Sequence, residues 1–142
     1  NAYLCKVCGG RCVKLELSRE EVFFSTRTRH AETFHLTSWV RKDGTFVVRT
    51  MKQMCNNGAY ASHGHAIAAN GGSEFKQLYH SEKCDFGDVT TVYSNRQPAG
   101  AMRAYGIPQA AFALEAHVED ICRALHLDPI ETACAKVLQK IR

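Results

Sequence analysis

No apolar run in the chain comes near the ~20 consecutive residues needed to cross a bilayer, so the sequence offers no candidate membrane helix. Nor does it carry a lysine–arginine stripe interleaved with aromatics. Basic and acidic residues are interspersed, with local clusters only at Arg27–Arg29 and Arg41–Lys42, and the net charge is a mild +4. That argues against a nucleic-acid surface. Internal repeats and low-complexity tracts are absent, as is a starting Met with a basic-then-apolar leader. The chain opens at Asn1 and its last residues read as an unfinished helix. The expectation is a segment of a longer protein, incomplete at both ends.

What is present fits one domain or part of a larger one. The 142 residues are 45% apolar and 23% charged, ordinary for a soluble globular protein. A closed domain of this size buries roughly 68–70% of its unfolded surface, so a genuine core is available. The seven cysteines cannot all pair within one chain. In a chain of ordinary composition they read as reduced thiols, and a cytoplasmic location is expected.

Local patterns predict a mixed α/β (α+β) segment, with a β-hairpin and short strands packed against helices. Ala2–Val7 reads as a helix end stopped by Gly9-Gly10. Cys12–Leu17 alternates apolar and charged residues, which predicts a half-buried strand. Ser18-Arg19-Glu20-Glu21 is a capping box opening a short helix through Phe24. Thr33–Val40 and Thr45–Met54 are strand-like and flank Asp43-Gly44, a hairpin signal. Trp39 and the hairpin phenylalanines are expected in the core. Residues 59–69 read as a loop entering a helix that Asn70-Gly71-Gly72-Ser73 breaks. Val89–Tyr93 is a third strand-like run. Pro108 opens a helix with Leu114, Val118, Ile121, Cys122 and Leu125 on one face. Asp128-Pro129-Ile130-Glu131 starts another, with Asp128 as N-cap.

The most informative stretch runs from Tyr93 to Gln109. Read physically, it is a strand, a loop of small residues and a helix start. Small residues let a ligand or another backbone approach closely. Free N–H groups at a helix start favour an anion, and Arg103 adds a planar donor for carbonyl or phosphate oxygens. An anionic or heteroaromatic ligand is one reading. A plain strand-to-helix connection with a surface arginine is the other.

Gly100–Gln109 resembles the G-A-[FM]-R-G-[FY]-G-x-P-Q signature of the molybdenum hydroxylases, the xanthine dehydrogenases among them. Ala104 departs from it, standing where a glycine is usual. Four further segments are similar to that family in order and spacing: Ser18-Arg19-Glu20-Glu21, Arg27-Thr28-Arg29-His30, Asn57–Gly64 and Leu127–Glu131. The resemblance covers roughly residues 10–131.

The resemblance implies part of a large molybdopterin-binding subunit that hydroxylates a purine or related N-heterocycle with water as the oxygen source. Gly100, Ala101, Met102 and Arg103 would line the molybdopterin. Tyr105 would pack against the heterocycle, and Arg29 would orient it, with His30 beside Arg29 able to tune the site. A guanidinium aimed at charge developing on the ring stabilises the transition state. FAD and iron–sulfur clusters are expected in other domains or subunits. Further cofactor loops and the general-base glutamate of such enzymes lie outside the signature segments found here, so the chain alone is expected to be inactive.

Two rivals stand beside this reading. Cys5, Cys8 and Cys12 have the close spacing of a small zinc-binding module, although structural zinc wants four ligands. The chain could also be a noncatalytic remnant that needs a missing half. His63-Gly64-His65 could ligate a metal, or simply face solvent and bond to backbone.

Overall fold

The computed structural model describes residues 1–138, with side chains described as far as Cys134. Residues 139–142, read above as the end of an unfinished helix, lie outside the described residues. The elements are α1 (Ala2–Val7), α2 (Arg19–Ser25), β1 (Ala31–Val40), β2 (Phe46–Asn56), α3 (Gly64–Leu78), β3 (Lys83–Val92), α4 (Ile107–Leu125) and α5 (Pro129–Leu138).

The strands form one sheet in the order β1-β2-β3. β1 and β2 are the antiparallel hairpin expected around Asp43-Gly44, and Asp43 Oδ1 accepts from the Thr45 amide. β3 runs parallel to β2. A parallel return needs a crossover, and α3 supplies it. One face of the sheet packs on α3 and α4, around Phe46, Met51, Phe75, Tyr79, Leu114, Val118 and Cys122. The helical periodicity of Leu114, Val118 and Cys122 therefore does mark the buried face of α4. No helix among the described residues is long and apolar enough to cross a membrane.

A charged side chain lies inside this core. Arg49 is fully buried; its Nη2 donates to the Tyr79 carbonyl and its Nε to Ser81 Oγ at 3.2 Å. The guanidinium lies over the Phe75 ring, 4.7 Å from its centroid. Burial lowers its pKa from the usual range, and these partners replace part of its lost hydration.

The fold corrects four expectations. Cys12–Leu17 is not a strand: it has no regular structure, and Leu15 is 65% exposed. Its alternation is real, but no neighbouring strand pairs with it among the described residues. Trp39 is not core but 56% exposed. Alternation in β1 turns Phe34, Leu36 and Val40 towards the core, which puts Trp39 on the opposite face. Helix α3 runs unbroken through Asn70-Gly71-Gly72-Ser73. The glycines are there for space: a Cβ on Gly72 would lie 1.6 Å from Phe86 of β3, and one on Gly71 would lie 3.2 Å from the Gly106 carbonyl. Finally, β3 begins six residues before Val89.

Both N-caps read from the sequence are formed. Ser18 Oγ accepts from the Glu21 amide at 3.2 Å, and Glu21 Oε2 accepts from the Ser18 amide at 2.7 Å. Asp128 Oδ1 accepts from Ile130 and Glu131. Replacing Asp128 with alanine is expected to cost about 1 kcal/mol, read from urea unfolding.

His117 of α4 meets Ser38 Oγ of β1 at 3.0 Å. Burial pushes its imidazole below the ordinary 6.5. The unfolded chain then takes up the proton first, so stability is lost as pH falls below about 6.5. His117→Gln is expected to flatten that acid limb in a series of urea midpoints against pH.

Candidate functional site

Residues after β3 form no helix or strand until α4, yet their main chain is held at four points. Ser94 N donates to the Gly58 carbonyl at 3.0 Å, Ala59 N to Arg96 at 3.1 Å, Ala99 N to Asn57 at 3.0 Å and Gly100 N to Thr28 at 3.0 Å. Three segments far apart in sequence, around residues 28, 58 and 97, thus meet at one place. Contact there is close: a Cβ on Gly58 would lie 2.3 Å from the Gln97 carbonyl oxygen, and one on Gly100 would lie 2.2 Å from Arg27 Cδ. These are three of the segments singled out by motif.

The bend that follows is tight. Tyr105 N donates to the Met102 carbonyl at 2.7 Å, and Ile107 N to Ala104 at 3.1 Å. Ala104, Tyr105 and Gly106 are consecutive left-handed residues, with φ of 68°, 50° and 98°. This gives a physical account of the one departure in the signature: a glycine at 104 would adopt this φ freely, whereas alanine is strained. The left-handed conformation costs an L-residue roughly 1–2 kcal/mol, and glycine's extra unfolded-chain entropy returns roughly 0.5–1 kcal/mol of that. Ala104→Gly is therefore expected to stabilise the chain by about 0.5–1 kcal/mol in urea unfolding.

The predicted site residues fall in three places. Gly100 is buried, while Ala101, Met102 and Arg103 are exposed along the outer edge of the bend. Arg29 reaches that bend from the segment before β1: its Nη1 donates to Gln109 Oε1 at 3.1 Å and its Nη2 to the Arg103 carbonyl at 3.1 Å. Tyr105 turns the other way. Its hydroxyl meets His63 Nδ1 at 3.2 Å, and its carbonyl accepts from Asn70 Nδ2 at 2.9 Å. Arg29 and Tyr105 line different clefts. The first, about 230 Å³, is bounded by Thr28, Arg29, Arg96 and Gln97. The second, about 560 Å³, is bounded by His63, His65, Thr91, Tyr93 and Tyr105. The Arg103 side chain lines neither.

The second cleft was not read from the sequence as a site. His63 and His65 are exposed, as expected, but they bond to side chains, with His65 Nδ1 3.5 Å from Thr91 Oγ1. A further positive φ, at Ser62, also lies on its wall. Strained residues of this kind gather where a loop is held for a purpose. Asn57 is the support beneath: fully buried, its Nδ2 donates to the carbonyls of Tyr60 and Ala61 at 2.5 and 2.6 Å. Only the small residues around it signalled that role.

The donor set suits an anionic, oxygen-rich group. Arg29 and Arg96 line the smaller cleft and Arg103 is exposed on the neighbouring bend, and guanidinium forks match such oxygens in geometry as well as charge. Cys5, Cys8 and Cys12, by contrast, are free thiols that gather into no ligand set among the described residues. Cys8 caps α1, and Cys8 and Cys12 are exposed.

Comparison with known proteins defines the class. The fold matches that of an aldehyde oxidoreductase from Desulfovibrio gigas, with a TM-score of 0.81 at 24% identity over 94% of this chain and 15% of that one. Residues 1–133 match the model of the molybdopterin cofactor-binding domain, and the chain belongs to that family. It is 46% identical over 131 residues to a putative xanthine dehydrogenase molybdenum-binding subunit of Escherichia coli strain K12, covering 92% of this chain and 17% of that protein. It is 33% identical over 122 residues to a probable hypoxanthine oxidase of the same strain, covering 86% of this chain and 13% of that protein. The chain thus spans about a sixth or less of the length of these relatives.

Proposed function

We propose that the chain is one wall of the active site in the molybdenum-binding subunit of a hydroxylase that acts on a purine or related N-heterocycle. The observation that carries this reading is the pair of hydrogen bonds from Arg29 to Gln109 and to the main chain at Arg103. They join the two motif segments that the family resemblance assigns to substrate and cofactor. Molybdopterin is the family's cofactor, and the donors at the bend are chemically suited to it. Ala101 and Met102 offer exposed main chain and Arg103 a guanidinium, while Gly100 packs beneath them against Arg27. When bound, the cofactor supplies the redox chemistry that adds a water-derived oxygen to the ring carbon.

The chain's own residues bind and orient. Arg29 has five N–H donors and spends two on the bend. The others are available to a heterocycle as negative charge grows on it. Tyr105 lies in a separate open cleft with two histidines, so in this arrangement it does not stack on a ring bound beside Arg29; its aromatic face serves a ring held in its own cleft, where stacking is worth about 0.5–1.5 kcal/mol beyond burial. A purine or related ring is favoured by the two xanthine- and hypoxanthine-directed relatives named above. The remainder of the subunit, together with iron–sulfur and FAD domains or subunits, completes the enzyme in the cytoplasm. No role for nucleic acid or a membrane is included. The isolated chain is inactive on this reading, because the proton-abstracting base worth about 10²–10⁴-fold lies elsewhere in the subunit.

The test is cofactor content and turnover of the complete subunit assembled with its partners. Arg103→Ala is expected to lower both molybdenum content and xanthine oxidation. Full molybdenum content with unchanged turnover in that variant contradicts the reading.

A further inference from the structure

Behind Arg29, on the buried face of the hairpin, lies a cluster that the molybdopterin reading does not use. Glu32 of β1 and Cys55 of β2 are cross-strand partners in the antiparallel register, so their side chains share one face. Cys55 Sγ lies 3.6 Å from Glu32 Oε1. His30 immediately precedes β1 and is 4% exposed. One ligand atom from each of His30, Glu32 and Cys55 lies within 4.8 Å of the other two.

The hydrogen bonds decide which histidine atom is free. Both Asn57 Nδ2 contacts are to carbonyl oxygens, which fixes the orientation of that amide. Its Oδ1 therefore faces His30 Nε2, at 2.7 Å, and must accept. Nε2 then carries the proton, and Nδ1 of the neutral ring carries a lone pair. That atom is buried without a partner. Gln53 repeats the situation: its Nε2 donates to Glu32 Oε2 at 2.8 Å, while its Oε1 is buried and unpartnered. Two orphan acceptors beside a carboxylate and a thiol form an arrangement that a cation would satisfy and another acceptor would not.

We propose that His30 Nδ1, Glu32 and Cys55 bind a single divalent metal ion of the zinc class, with Gln53 Oε1 as a candidate for the fourth position. Nitrogen, oxygen and sulfur are the donor types zinc takes in tetrahedral sites. At bond lengths of roughly 2.0–2.3 Å the ligand atoms sit about 3.3–3.8 Å apart, a spacing the Glu32–Cys55 pair already has, so binding asks at most about 1–1.5 Å of movement, mainly of His30. Asn57 holds the histidine through its remote N–H, the usual outer support of a metal-bound imidazole. Binding expels the Cys55 thiol proton to solvent. The ion's two charges are then matched by the Glu32 carboxylate and the Cys55 thiolate, and the buried site is electrically neutral. Without the ion, burial and the neighbouring carboxylate hold the thiol protonated, its pKa pushed up to about 12. The bound ion would pin β1 to β2 next to Arg29.

This site is independent of molybdopterin, so its test uses the metal alone. The purified 142-residue chain is titrated with Co²⁺ and followed by absorption. The expected result is one equivalent bound, with tetrahedral d–d bands and a sulfur-to-cobalt charge-transfer band that Zn²⁺ abolishes. Cys55→Ser is expected to lose the charge-transfer band, and a chain with Cys5, Cys8 and Cys12 all replaced by serine is expected to keep it. A second readout needs no variant: Zn²⁺ at ten times its Kd is expected to slow iodoacetamide alkylation of Cys55 about tenfold, mapped by mass spectrometry. The proposal is overturned if no cobalt is taken up at about 100 μM, if the sulfur band survives in Cys55→Ser, or if zinc leaves Cys55 alkylation unchanged.

Discussion

Replacing Arg29 with methionine in the complete molybdenum subunit is expected to lower kcat/KM for a purine by about 10²- to 10³-fold, with molybdenum content unchanged. The magnitude is that of removing one donor aimed at developing charge, about 2.7–4 kcal/mol. Methionine keeps much of the side chain's length and apolar stem while deleting every donor. Because the interaction strengthens as the ring becomes anionic, the loss is expected mainly in kcat rather than KM. Arg29 also braces the bend through Gln109 and the Arg103 carbonyl, so a bracing role must be separated from a substrate role. Gln109→Ala removes one brace and leaves the guanidinium, and is expected to cost less than tenfold. Equal losses in the two variants, or loss of molybdenum from Arg29→Met, would assign Arg29 to bracing alone.

Gly106→Ala is expected to destabilise the chain by about 2–6 kcal/mol, a large effect for a single added methyl group. Two costs combine. The backbone is left-handed, with φ of 98°, and a non-glycine residue held in such a region costs about 1–3 kcal/mol. The new Cβ would also lie 2.2 Å from the Ile67 carbonyl oxygen of α3, and overpacking against backbone adds about 1–3 kcal/mol. With urea m-values of about 1–3 kcal/mol/M, the midpoint is expected to fall by one to several molar. Gly9→Ala is the control: its φ is 66° but no atom lies within 4 Å of the added carbon, so only the strain cost applies. If both variants shift equally, the close approach of α3 to the bend carries no energy.

Sequence reading succeeded where a feature is set within a few residues. The Ser18 capping box, the Asp43-Gly44 hairpin and the apolar stripe of α4 are local, and each has the expected geometry. It failed where distant packing overrides local preference. Gly71 and Gly72 looked like a helix breaker, yet they sit mid-helix: Phe86 fills the space a side chain on Gly72 would need, and the start of α4 packs tightly over Gly71. Trp39 looked like core because it is aromatic, but register alone decided its face. At the site, motif likeness singled out Arg29 and the Gly100–Arg103 bend, and the fold brings them into contact. It did not reveal that Tyr105 and Arg29 face separate clefts. Nor did it show that Glu32 and Cys55 stand opposite each other, because cross-strand register is written in the pairing of two strands and in neither alone.

The account rests on the outer edge of the bend facing molybdopterin, and a structure of the complete subunit loaded with its cofactor tests this most directly. The expected result is main-chain amides of Ala101–Arg103 or the Arg103 guanidinium within about 3 Å of cofactor oxygens, with Arg29 on the substrate side of the same cavity. A loaded subunit in which that edge faces bulk water, and the cofactor contacts none of residues 100–103, would contradict it.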